Sequence, residues 1–146
     1  MNGRPPRFGA GGFSFDGKSR LCLKKAMKTA GLKTEDFKLK IDFDERRFVT
    51  IAIAASAYGG TVGFYFSAEE MREFARGFAE MYRTLEEGRL EIREYYGAES
   101  VLSFELGSRG HFTVSGTFRT AKSTLEFTER AEQSYFSSFA KQLSLF

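Results

Sequence analysis

Tryptophan is absent from these 146 residues, cysteine and histidine occur once each, and proline only twice. A single cysteine, Cys22, excludes an internal disulfide and a multi-cysteine metal site, and it fits a reducing compartment. A single histidine, His111, excludes a histidine pair on a metal, and no partner stands at the spacing of a nucleophilic site. His111 follows a glycine turn and is expected at the start of a strand, facing solvent. No Walker A sequence, dinucleotide fingerprint or nucleophile elbow is present. The run Gly9, Ala10, Gly11, Gly12 follows no strand and lacks the Lys-Ser/Thr that would make it a phosphate cradle. No apolar run is long enough to span a bilayer, and the N-terminus lacks the apolar stretch of a secretory signal. These absences lead to the expectation of a cytoplasmic protein that is not an enzyme, takes no cofactor or metal and avoids membranes.

What the chain has in abundance is phenylalanine, 17 residues, which must dominate the packing. Its net charge of +3 hides an asymmetry. Residues 1–47 carry 12 Lys/Arg against 6 Asp/Glu, a net of +6, and residues 48–146 carry 10 against 13, a net of −3. A solvated surface explains such an excess. So does a basic face for an acidic partner or nucleic acid, for which Arg4, Arg7, Lys18, Arg20, Lys24, Lys25 and Lys28 are the candidate phosphate contacts. Residues 1–18, rich in Gly with Pro5 and Pro6, read as a flexible arm, and residues 19–146 as one domain.

From Ser67 to Gly88, Met71, Phe74, Ala75, Phe78, Tyr82 and Leu85 recur at helical spacing, with glutamates and arginines filling the other side. Ser67 and Glu70 form a capping box, and Gly88 suits a left-handed C-terminal cap. The spacing predicts a helix over about 68–87. Tyr135 or Phe136, Phe139, Ala140 and Leu143 predict a second over about 130–146, capped near Thr128.

Strand patterning fills the rest. Gly31 reads as a break after a short element around Leu21 and Leu23. Leu39, Ile41 and Phe43 alternate with Lys38, Lys40, Asp42 and Asp44, which defines a strand with one wet face. A polar turn at 44–47 joins it to Phe48–Ala55, apolar on both sides and expected to be central. Further strands follow at about 61–66, 90–96, 101–106, 112–118 and 125–127. The expected fold is α+β, an antiparallel meander of six or seven strands packed by two amphipathic helices. Strands followed by a helix occur twice, as in a pseudo-repeat.

Asp42 and Asp44 share a strand face, as paired carboxylates on a groove floor do, although alternation alone explains them. Tyr58, Tyr65, Tyr95 and Tyr96 offer a partner patch or simple cover for a sheet edge.

Leu125, Glu126 and Phe127, then Glu132, Gln133, Ser134 and Tyr135, with Phe139 and Leu143, resemble the closing strand and helix of the WapI-type immunity proteins of bacterial polymorphic toxin systems. Val114, Gly116 and Phe118 match the preceding strand of that family, and Ser67, Glu70 and Phe74 its earlier helix entry. The family's aromatic Asn-Trp step is missing, and this chain is basic where immunity proteins are frequently acidic. The resemblance implies a bacterial, non-catalytic protein that binds a toxin domain. The expected contact is the exposed sheet face carrying Lys38, Lys40, Asp42 and Asp44. Nucleic-acid binding by the basic first third is the alternative, and a homodimer is compatible with both.

Overall fold

A computed structural model of the chain describes residues 27–44 and 47–146. Among the described residues, eight strands form two antiparallel sheets of four rather than one meander. The first sheet holds β1 (Met27–Lys33), β2 (Phe37–Asp44), β3 (Phe48–Ala55) and β4 (Gly59–Tyr65), in that spatial order. Helix α1 (Ala68–Thr84) follows. The second sheet holds β5 (Gly88–Arg93), β6 (Val101–Leu106), β7 (His111–Arg119) and β8 (Thr124–Glu132), also in chain order. A 3-10 turn (Gln133–Phe136) leads into α2 (Ser137–Leu143). The chain therefore repeats a four-strand-and-helix unit, and the insertion of α1 is what divides the strands into two sheets.

The helices cross over between the units. Helix α1 packs against β5 of the second unit, and α2 packs against β1 of the first. Each helix covers the opening strand of the unit it does not belong to.

Local sequence accounts for the element ends. Ser67 caps α1: its Oγ accepts from the Glu70 backbone N–H at 3.0 Å, and Glu70 Oε1 accepts from the Ser67 N–H at 3.2 Å. The helix ends three residues before the expected Gly88, because Leu85 takes the left-handed conformation (φ 56°) and closes onto the Met81 carbonyl. Gly88 instead opens β5. The second helix begins later than its spacing predicts. Thr128 to Glu132 pair along β7, so Thr128 is a strand residue and no helix cap. Gly31 interrupts nothing; it sits inside β1, opposite Lys40. The element expected around Leu21 and Leu23, the arm at 1–18 and Cys22 lie outside the described residues.

Phenylalanine does fill the core. Phe78, fully buried on α1, meets four rings from outside its own helix: Phe104 at 5.4 Å, Phe112 at 5.5 Å, Phe136 at 6.2 Å and Phe139 at 5.3 Å between centroids. These rings come from β6, β7, the 3-10 turn and α2, so one side chain ties both helices to the second sheet. Burial of each such ring is worth about 1.5 to 3 kcal/mol, and ring-on-ring geometry adds to it. The sheets themselves meet where the β3–β4 turn reaches the second sheet. There Gly60 leaves room for Leu125, and Tyr58 stacks on Phe127 at 6.3 Å.

Candidate partner-binding face

Alternation in the first sheet sends Leu39, Ile41, Phe43, Val49, Ile51, Ile53, Val62 and Phe64 into the core. The intervening residues form its outer face, and the strand register arranges them in four rows. Lys33, Lys38, Ala54 and Gly59 make the first row; Gly31, Lys40, Ala52 and Thr61 the second. Thr29, Asp42, Thr50 and Gly63 make the third; Met27, Asp44, Phe48 and Tyr65 the last. Lys38, Lys40, Asp42 and Asp44 thus do share one face. The register adds Lys33, and it places short side chains on β3 and β4 beside the charges. Strand β3 is interior, as expected, but its second face is this small-residue floor and is not buried.

The face changes character along its length. At the β1–β2 turn, lysines border a shallow depression of about 490 Å³ whose floor includes Ala52, Ala54 and Thr61. Gln142 of α2 closes its edge, its Oε1 accepting from the Gly31 backbone N–H at 2.7 Å. In the third row Asp42 is engaged, accepting from Thr29 Oγ1 at 2.6 Å and lying 3.6 Å from Lys40 Nζ. It is therefore no free member of a catalytic carboxylate pair. In the last row Phe48 and Tyr65 stack edge to face at 5.7 Å, and Tyr65 is 79% exposed. Gly63 makes that arrangement fit: a Cβ there would lie 2.8 Å from the Phe48 ring.

The outer face of the second sheet is electrostatically closed by comparison. Glu91 bonds Arg93 at 2.9 Å, Arg89 at 3.1 Å and Ser103 Oγ at 3.1 Å. Burial alone would raise its carboxyl; the bonds from Arg93, Arg89 and Ser103 outweigh burial and hold it below the usual range.

His111 opens β7 as expected, but it is half-buried and its Nδ1 is sealed from solvent without a partner. A polar depression of about 570 Å³ does adjoin it, lined with Glu35, Asp36, Arg130, Glu132 and Tyr135. The charge of Glu35, then partial burial and the hydrogen bond to Glu35, push the Tyr135 hydroxyl up. No hydrogen bond links His111 to these acids, so the residues form no base-and-nucleophile pair. Among the described residues no group of three His, Cys, Asp or Glu is placed to hold a metal ion.

Of the basic residues named for nucleic acid, Lys28 lies on β1, while Arg4, Arg7, Lys18, Arg20, Lys24 and Lys25 lie outside the described residues. The tyrosines named as one patch sit on separate elements: Tyr58 turns inward to Glu129, Tyr65 joins Phe48, and Tyr95 and Tyr96 stand in the loop after β5. Lys33 and the Ala52, Ala54, Thr61 floor were the residues that sequence reasoning missed. Alternation alone could have supplied the floor, but only register reveals which strands adjoin. Among the described residues no helix is long and apolar enough to cross a membrane.

No curated protein matches the sequence. Among solved structures, a chain from crystal structures of Trypanosoma bruciei MRP1/MRP2 superposes with a TM-score of 0.53, over 92% of this chain and 94% of that one. The two share 12% of their residues, so the likeness is one of fold. The sequence model of the immunity protein WapI-like family matches residues 32–145, from the end of β1 almost to the last residue of the chain. This chain belongs to the WapI-like immunity protein family.

Proposed function

We propose that the protein neutralises a bacterial toxin domain by binding it, without catalysis, through the outer face of the first sheet. Family membership over residues 32–145 carries this reading. The face supports it with Lys38 and Lys40 at one end, Asp42 and Asp44 further along, and an aromatic pair, Phe48 and Tyr65, at the other end. Partly exposed aromatics beside a polar rim are what binding anchors require. On this reading the protein acts in the cytoplasm, where an antidote would meet its toxin.

Co-expression with the toxin domain encoded next to the gene tests the reading. Growth is expected to be restored, and the two proteins to co-purify. Absence of both with every neighbouring toxin domain would overturn it. Tyr65→Ala is expected to weaken the complex by about 2 kcal/mol, the range of an interface hot spot.

A further inference from the structure

Lys33 and Lys38 face each other directly across β1 and β2, and Lys40 stands two residues further along the same face. Like charges directly opposed across a sheet destabilise it. Neither Lys33 nor Lys38 has an ion-pair partner among the described residues, and Lys40 has only Asp42. The acids of the intervening turn are turned elsewhere: Glu35 acts on Tyr135, and Glu35 and Asp36 line the depression beside His111. Three cations, of which only Lys40 has an acid beside it, therefore border a floor of Ala52, Ala54 and Thr61, where short side chains let a second backbone approach closely.

Charge sign narrows what fits there. Residues 1–26 of the chain carry six Lys/Arg against one Asp, the wrong sign for this corner. Along β2 the lysines give way to Asp42 and Asp44, so the face reverses sign within four residues. A polyanion long enough to run the length of the face gains at one end and is repelled at the other. A polypeptide with local acids matches the lysines alone.

Resting on the toxin-binding reading, we infer that the partner inserts an acidic polypeptide segment into the corner formed by Lys33, Lys38 and Lys40, with its backbone over Ala52 and Ala54. The full chain, isotope-labelled, is titrated at low salt with a hexaglutamate peptide, a hexalysine peptide and an oligothymidylate. Hexaglutamate is expected to move the amides of Gly31, Lys38, Lys40, Ala52 and Ala54, and hexalysine to move none of them. The K33E/K38E double variant is expected to weaken binding about tenfold, as loss of interfacial charge pairs does. Rising salt should weaken it as well. Ala54→Trp, on an exposed position, is expected to block the floor and weaken the peptide while leaving the thermal midpoint unchanged.

No shift at these amides with hexaglutamate, or an affinity that K33E/K38E leaves unchanged, would overturn the inference. Tighter oligothymidylate binding at the same amides would overturn it in favour of nucleic acid. Toxin rescue is read separately. Rescue by wild type and K33E/K38E alike removes the acidic segment and leaves toxin binding standing. Failure of wild type to rescue strikes toxin binding, while the titration still decides the chemistry of the corner.

Discussion

The Tyr58 hydroxyl donates to the Glu129 carboxylate, joining the β3–β4 turn of the first sheet to the last strand of the second. The Tyr58 ring lies on Phe127, two residues along that strand from Glu129. The contact is a bolt between sheets that share no hydrogen-bonded strand pair. Tyr58→Phe leaves a half-buried carboxylate without its donor, and is expected to cost about 1 to 3 kcal/mol in urea unfolding at pH 7. Glu129→Gln keeps an acceptor and is expected to cost less.

The same bond makes stability depend on alkaline pH. Burial first, then the hydrogen bond to Glu129 and its charge, pushes the Tyr58 hydroxyl from 10.0 up to about 12. Because the folded value is raised, the contribution is fully present below pH 10 and is lost as pH rises to about 12. The stability difference between wild type and Tyr58→Phe is expected to shrink over that window. A difference that stays constant from pH 9 to 12 would refute the linkage.

Phe78 is the hub of the aromatic core. Phe78→Ala is expected to cost about 3 to 5 kcal/mol, since four surrounding rings on separate elements cannot all collapse into the space left. Denaturant unfolding measures it. A loss under about 1 kcal/mol would mean that the rings repack freely.

Leu85 holds a left-handed backbone with φ 56°, and its side chain is 44% exposed. Leu85→Ala loses packing and keeps the strain, whereas Leu85→Gly loses packing and removes it. The glycine variant is expected to be the more stable of the two by about 1 kcal/mol. Equal thermal midpoints would count against strain at this cap.

Gly116 sits directly opposite Phe127, and a Cβ there would come within 2.7 Å of the Phe127 ring and 2.7 Å of the Val101 carbonyl oxygen. Gly116→Ala is expected to destabilise by about 1 to 3 kcal/mol, the range of overpacking. Adding Phe127→Leu is expected to recover only part of this, because the Val101 carbonyl is backbone and cannot swing away.

How much of this was legible in the sequence differs from element to element. Ser67 and Glu70 marked the start of α1 because capping is a local interaction between residues three apart. Strands β2, β6 and β7 announced themselves by alternation, since each sends its apolar residues to one side. Strand β1 did not. It is an edge strand with lysines and Gly31, and on its free side the Gly31 N–H is taken up by Gln142, 111 residues away. The C-terminal helix was placed too early because Ala131 and Phe136 are both buried, one from a strand and one from the 3-10 turn that follows. The division into two sheets depends on which strand α1 leads to, which no local pattern encodes. For the candidate site, Lys38 to Asp44 could be assigned to one face, but the opposition of Lys33 to Lys38 needed the β1–β2 pairing.

The exchange of helices between the units has a consequence for how the molecule comes apart. A cut in the backbone between α1 and β5 would give two fragments, each carrying the lid of the other and lacking its own. Alone, each would leave oily strand surface wet. Mixed, they would be expected to reassemble, so the two halves behave as interlocked hands that let go together.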